Sequence, residues 1–435
     1  MRPVYKGPLL PGWAESSLRS VTVRRRGYSW EKAQEVGSPE PGAVPVVRIP
    51  NIQDRLDLHG LLYLRRVTSG DKAAFAIERD WILFVASNGN PDRIGDSVLL
   101  EDDKAMLFAS FLQGITSKNP TRLLPAFLAG WLRLDAVHQT FSKTSQKTTG
   151  LANFSWGAVK NLPVRYPVDL RKQSAILDVL RDFDALAHDT RELENARRLK
   201  TGLLEELFTH GVPDCDGRLH HSKWLTCPER WTRLRLGRFA QIEAGFTMGR
   251  DLRGANTVSL PYVTVVNVQN GRLDLSSVSS TLLKESEVDD ALLRAGDVLI
   301  TEGGDRDKLG RGAIWSEDIA PCAYQNHIFR VRLDTSQYRS KLFHYLLQTR
   351  GAKRYFGSHA KQTSNLCTIN SRDVARLKVG VPDLDEQDEI VRDLEAVDRI
   401  MARLEDRQMS LNRLRKSLLE ALVSGDTRVE TLLRA

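Results

Sequence analysis

Apolar residues in this chain follow two regimes: three-and-four spacing in two long stretches, and short β-branched runs broken by Gly, Pro, Asn and Asp elsewhere. The spacing is cleanest between Leu377 and Gly425, where Ile390, Leu394, Val397, Met401, Leu404, Gln408, Leu411, Arg415, Leu418 and Leu422 form a seam, eight of the ten apolar. So narrow a seam predicts a helix with one partner helix rather than a helix sunk in a core. The stretch Leu162 to Gly211 repeats the layout with Ile176, Leu180, Phe183, Leu186, Leu193, Ala196, Leu199, Leu203 and Leu207, and its stripe drifts where Thr190 and Asn195 interrupt it. Each copy opens on a proline (Pro167, Pro382), passes a glutamine (Gln173, Gln387) and ends at a glycine (Gly211, Gly425) suited to the left-handed residue that closes a helix. Asp383 followed three residues on by Glu386 predicts a capping box at the second start. A helix of about forty residues runs on the order of 60 Å, and the obvious partner for each is its own repeat.

What lies before each helix repeats as well. In the first part Trp13 precedes a short strand, Val44 to Leu58 reads as β-like, strands are expected at Phe75 to Ile77 and Ile82 to Ala86, a turn at Asn88 to Pro91, and a helix over Leu123 to Leu134. In the second, Trp231 echoes Trp13, and Tyr262 to Leu275 echoes the β-like run. Asn51-Ile52-Gln53 with Arg55 to Leu58 matches Asn267-Val268-Gln269 with Arg272 to Leu275. A strand is expected at Val298 to Thr301 and a helix near Lys341 to Thr349. Polar stretches precede both long helices, FSKTSQKTTGLANFSW from Phe141 and HAKQTSNLCTIN from His359. The domains are therefore expected as 1–161, a long helical region 162–211, a linker 212–230, a second domain 231–376 and a second helical region 377–435. Antiparallel packing of the helices would set the two domains at opposite tips of a rod, related by a pseudo-two-fold axis. Two similar modules at a fixed distance suit two half-sites on one duplex, where the same groove recurs about 34 to 36 Å along. Differing loops make the expected target bipartite and asymmetric.

Composition narrows the partner. A chain of 435 residues with net charge +8 and pI near 9.3 favours an anionic partner, nucleic acid first and membrane surface second. The longest apolar run, about Trp81 to Ala86, is far below the roughly twenty residues of a membrane span, and the first residues carry no apolar signal segment. Four cysteines fit a reducing compartment, so a cytoplasmic location is expected.

Candidate DNA contacts pair cations that hold phosphate with groups that read base edges. In the first domain these are Arg24, Arg25, Arg26, Tyr28, Lys143, Lys147 and Thr148. In the second they are Arg250, Arg253, Arg306, Lys308, Arg311, Lys361, Gln362, Thr363 and Asn365. Asn51 and Asn267, although repeated, read as structural turn residues. Two other chemistries have weaker patterns. Asp92, Asp102 and Lys104 loosely fit a metal-dependent nuclease. Cys215, His220, His221 and Cys227 could be imagined around zinc but lack Cys-x-x-Cys spacing. Cys322 and Cys367 read as buried small hydrophobes.

The entry to the second helix, Pro382-Asp383-Leu384-Asp385-Glu386-Gln387, resembles the P-x-L-x-E-Q start found in the specificity (S) subunits of type I restriction-modification systems. Gly296-Asp297-Val298-Leu299, Asn326-His327-Ile328-Phe329-Arg330 and Trp231-x-x-Leu234 are similar to that family too. The first copy, Pro167 to Gln173, is one residue longer and lacks the glutamate. The resemblance implies an α+β fold in which two target recognition domains are separated by two long antiparallel helices forming a coiled coil. It implies a chain without catalysis or cofactor of its own, binding double-stranded DNA and two methyltransferase (M) subunits that use S-adenosylmethionine. The complex could then recruit restriction (R) subunits. The competing readings are a metal-dependent DNA nuclease and a coiled-coil scaffold without nucleic-acid function.

Overall fold

The computed structural model describes residues 4–5, 7–148, 150–187, 190–212, 217–249, 251–304, 309–363 and 366–425. Helix and sheet are mixed throughout, in two compact units. The first comprises Met1–Asp189 with Arg407–Ala435, the second Thr190–Asp406.

In the first unit an antiparallel sheet is ordered Thr22–Arg26, Leu112–Ser117, Ile82–Val85, Ser97–Leu99. Every residue of Ile82–Val85 is buried, which explains why this run is continuously apolar instead of alternating. A second sheet sets Leu62–Leu64 antiparallel to Val44–Val47 and Val44–Val47 parallel to Lys104–Phe108. Trp13–Ser17 pairs antiparallel with Pro163–Pro167 and so closes the unit where the helical region begins. Its core is completed by Phe127, Leu128 and Trp131 of the helix Pro125–Leu132.

The second unit repeats the four-stranded sheet in the same order and the central three strands of the other, without counterparts, among the described residues, to the outer strands Glu35–Val36 and Ala76–Ile77. Ala240–Ala244, Ile328–Leu333, Val298–Thr301 and Gly312–Ile314 form the antiparallel sheet. Ser279–Lys284, Thr257–Val263 and Ala323–Tyr324 form the other, its last pair parallel. Thr232–Arg235 pairs with Lys378–Val381.

The repeat extends to single hydrogen bonds. Buried Asn51 accepts from the Arg48 amide at 2.8 Å and donates to the carbonyls of Asp57 and His59 at 2.9 and 3.1 Å. Buried Asn267 accepts from the Thr264 amide at 2.8 Å and donates to Asp274 and Ser277 at 2.8 and 2.9 Å. Both are structural, closing a loop whose backbone would otherwise be left unpaired inside the unit. The two helical glutamines repeat another pattern. Gln173 accepts from the Leu124 amide at 2.9 Å and donates to Pro167 and Arg122 at 2.7 and 2.8 Å. Gln387 accepts from Arg339 at 2.8 Å and donates to Pro382 and Gln337, each at 3.0 Å. Each glutamine ties the start of its long helix to the start of a shorter helix in its own unit.

The long helices differ from the expected pair of unbroken rods. The first copy is two helices, α1 over Leu170–Ala187 and α2 over Arg191–His210, and Thr190 between them is not helical. The second copy is a single helix, α3, over Leu384–Val423. On α3 all ten seam positions are buried or half-buried, Gln408 and Arg415 included. In the first copy Leu186 and Leu199 fall off the seam, 55% and 58% exposed. Within the second unit, Lys200–Asp398 at 2.7 Å and Arg197–Glu405 at 3.1 Å pair rising positions on α2 with falling positions on α3, so the two run antiparallel. In the first unit Arg415 of α3 bonds Asp184 of α1.

The capping box is half made. Asp383 accepts from the Glu386 amide at 2.9 Å, but the Glu386 carboxylate turns to Arg230, to Trp231 Nε1 at 2.9 Å and to the Val212 amide at 3.1 Å. Gly211 and Gly425 have positive φ, 77° and 72°, which glycine adopts without strain, although a ψ of −168° takes Gly211 out of the left-handed helical conformation.

Candidate nucleic-acid interface

In each unit the buried central strand runs on past the core sheet and seeds a small polar ribbon. After Ile82–Val85, Ser87–Asn88 pairs with Leu151–Asn153, which pairs with Gln146–Thr148. After Val298–Thr301, Gly303–Gly304 pairs with Leu366–Thr368, which pairs with Lys361–Thr363. The two polar stretches that the sequence presented as leaders to the helices are therefore hairpins. They are hydrogen-bonded to the loop that follows the central strand. Ser87 fixes the first ribbon by donating to Asn153 Oδ1 at 2.8 Å. In the second, a Cβ on Gly303 would lie 3.1 Å from Thr368 Cγ2, so glycine allows the close approach.

The candidate residues divide by what the units already do with them. Lys147 and Thr148 lie on the outer strand of the first ribbon, and Lys361, Gln362 and Thr363 on the outer strand of the second. Gln146, Lys361 and Gln362 are exposed. Lys143 is exposed at the end of the helix Asp135–Lys143, just before the first hairpin. Arg24, Arg25 and Arg26 lie on the strand Thr22–Arg26 and have three different fates. Arg25 is engaged within its unit, paired with Glu78 at 3.0 Å and stacked 4.1 Å over Trp81. Arg24 lies 4.5 Å over Trp156 and bonds Gln113, and burial, then the like charge of Arg26, lowers its pKa. Arg26 is exposed. Tyr28 packs edge-on against Phe75 with ring centroids 5.3 Å apart. Arg253 is exposed and clasped by Asp251, whose carboxyl it holds below the usual carboxylate range. Arg311 takes part in the core sheet through its carbonyl, which accepts from the Thr301 amide at 2.9 Å. Arg250, Arg306, Lys308 and Asn365 lie outside the described residues.

Sequence reasoning missed two rings beside the ribbons, Phe111 and His327. Phe111 is 48% exposed, and its carbonyl accepts from the Ala86 and Ser87 amides at 2.8 and 3.1 Å. His327, whose carbonyl accepts from Glu302 at 2.9 Å, has Nδ1 2.9 Å from the Glu302 carboxylate. Only the strand register puts them at the ribbons, and no local motif marks Phe111.

The alternative chemistries gain no constellation. Asp92 is exposed in a single 3-10 turn, and Lys104 is paired with Asp102 at 3.7 Å. Cys215 lies outside the described residues. Cys227 is buried, paired in register with His220 in the hairpin Leu219–His221/Thr226–Pro228. Among the described residues no group of three or more His, Cys, Asp or Glu side chains is placed to hold a metal ion. Cys322 and Cys367 are buried, and burial pushes the Cys322 thiol up to about 11. Among the described residues no helix is long and apolar enough to cross a membrane.

Comparison with known proteins shows what this chain is similar to. Residues 228–412 match the family described as "Type I restriction modification DNA specificity domain". The putative type I restriction enzyme MjaX specificity subunit of Methanocaldococcus jannaschii is 23% identical over 396 residues, 89% of this chain and 88% of the relative. Over most of its length, the chain is similar to type I specificity subunits. The StySPI specificity subunit of Salmonella potsdam is 21% identical over 438 residues, covering 97% of this chain and 90% of its own length. Among solved structures, a chain from a study of complex assembly and conformational transition of the type I R-M system aligns with TM-score 0.59 and 17% identity. It covers 97% of this chain and 100% of that one, and the likeness is one of fold.

Proposed function

We propose that this specificity subunit reads a bipartite, asymmetric duplex DNA site, one half with each unit, as the DNA-recognition component of a type I restriction-modification complex. One observation carries the reading: the same polar ribbon is built twice, past the end of the equivalent buried strand, with different residues on it. Equal placement supports two readers of one kind, and unequal side chains support two different half-sites. Domains 1–161 and 231–376 would be the target recognition domains. The regions 162–211 and 377–435 would form an antiparallel coiled coil that docks two methyltransferase subunits. Leu186, Leu199, Ile400, Met409 and Leu414 support that docking, being helical apolar side chains about half exposed. The methyltransferase subunits would supply S-adenosylmethionine chemistry, restriction subunits could join them, and this chain would contribute no catalysis, acting in the cytoplasm. Lys143, Lys147, Lys361 and Arg26 suit phosphate contacts, and Gln146, Gln362 and Thr363 suit base edges.

The test is to co-purify the chain with its methyltransferase and map methylated adenines in the host genome. The expected result is one two-part motif with a fixed spacer, lost on deletion of this chain. Methylation that persists without it, or Mg²⁺-dependent cleavage by the purified chain that Asp92→Ala abolishes, would sink the reading.

A further inference from the structure

We propose that Phe111 is a base-contacting, specificity-determining residue of the first unit, setting an apolar ring against the C5-methyl group of a thymine in its half-site. The inference rests on the DNA-reading function above and goes further by assigning one residue and one base feature. Single exposed hydrophobic residues are common on soluble proteins, so exposure alone would mean little. Position gives it weight.

Phe111 sits in a turn that the backbone fixes on both sides. The Ser110 amide donates to Tyr28 at 2.8 Å, the Leu112 amide to Ala109 at 2.9 Å, and the Phe111 carbonyl takes the Ala86 and Ser87 amides. Those two residues are where the central strand leaves the core sheet to become the ribbon. The second unit repeats three of these four bonds: Asn326 donates to Phe246 at 2.9 Å, Ile328 to Gln325 at 3.0 Å, and Glu302 to His327 at 2.9 Å. The residue before each acceptor, Gly27 or Gly245, is glycine in both units, and a Cβ on either would lie 2.0 Å from a carbonyl oxygen, of Ala109 and Tyr324 respectively. At this shared position both units present a ring outward, 48% exposed for Phe111 and 59% for the His327 side chain.

The two rings offer different chemistry. His327 is held by Glu302 through Nδ1. Phe111 offers only an apolar face and edge, beside a ribbon with exposed Gln146 and a cationic residue, Lys147, on its outer strand. In a duplex groove, the base-edge feature that rewards an apolar group is the thymine methyl, and polar neighbours alongside it read the adjoining edges.

The experiment maps adenine methylation in cells that make the chain with its own methyltransferase partner, comparing wild type, Phe111→Ala and Phe111→Leu. Phe111→Ala should relax one position of one half-site, a position that carries an A·T pair in the wild-type motif. Adenine methylation of sites carrying any of the other three base pairs there should rise roughly ten- to hundredfold relative to wild type. Phe111→Leu, which keeps an apolar side chain, should relax it less, and the other half-site should not change. An unchanged motif in Phe111→Ala overturns the inference. So does relaxation at a position without an A·T pair, relaxation in both halves, or uniform loss of methylation by a variant that keeps its wild-type thermal transition. If Phe111→Ala loses that transition, Phe111→Leu carries the test, and an unaltered motif then overturns the idea. Absence of any bipartite motif in wild type defeats the reading of function itself, a result distinct from these.

Discussion

At the residue scale, the repeated polar side chains form the frame of each unit, and the residues on the two ribbons differ between copies. Gln173 and Gln387 are both fully buried with three hydrogen bonds each. Gln387→Ala would strand the Arg339 amide and two carbonyls, so the second unit should lose about 1–3 kcal/mol, read as a shift in denaturant midpoint. His344 gives a pH signature. Burial, aided by the nearby Lys200 charge and opposed by Asp398, lowers its pKa from the ordinary histidine value of 6.5 to about 4. Above about pH 6.5 the ring is neutral folded or unfolded. Between pH 6.5 and 4 only the unfolded chain takes up the proton, so stability falls across that window, by roughly 3 kcal/mol at its foot. His344→Phe should flatten this part of the stability profile relative to wild type, checked by urea midpoints at pH 7 and pH 4.5; an unaltered slope would exclude His344 as its source.

At the element scale, the close backbone approaches set what each sheet tolerates. Gly27→Ala and Gly245→Ala would each push a methyl group to within 2.0 Å of a carbonyl oxygen. Neither neighbour is a side chain that can swing away, so each substitution should cost more than about 3 kcal/mol. Limited proteolysis should show the affected unit opening, and a variant as resistant as wild type would mean that the strands can part at little cost. The helices show how far periodicity reaches. The seam on α3 was legible because all its positions face one side, and even Gln408 and Arg415 follow it. The first copy was misread as one helix because an apolar count tolerates Thr190, whereas the backbone leaves the helix there. The helices Asp135–Lys143 and Arg350–His359 and the two hairpins went unrecognised because they are short and polar, and each hairpin is anchored by a third strand far away in sequence.

For the molecule as a whole, the net charge of +8 is a property of partnership and not of fold. If cationic side chains on the two units meet phosphates, the assembled complex should bind its duplex with a steep salt dependence. Each phosphate contact contributes a slope of about −0.9 in log K against log salt, and removing Lys143 or Lys361 should each reduce the slope by about one. Titrations at several salt concentrations read this directly. Binding insensitive to salt would favour a scaffold without nucleic-acid function. Glu386 shows how unit-level assembly depends on contacts no local pattern reveals: read as half of a capping box, it instead joins the end of α2, the Trp231 edge and the start of α3.

The sequence by itself determined the duplication, the helical seam, the glycine helix ends and the structural role of the two asparagines. Each of these is written in spacing or in a residue type with a single physical use. Tertiary structure alone decided that Arg25 is spent on Glu78 and Trp81 and that the polar stretches fold back as ribbons. It also placed Phe111 and His327 on one position. Those outcomes depend on strand register between segments far apart in the chain, and register is set by the packing of the whole unit, not by any neighbour in sequence.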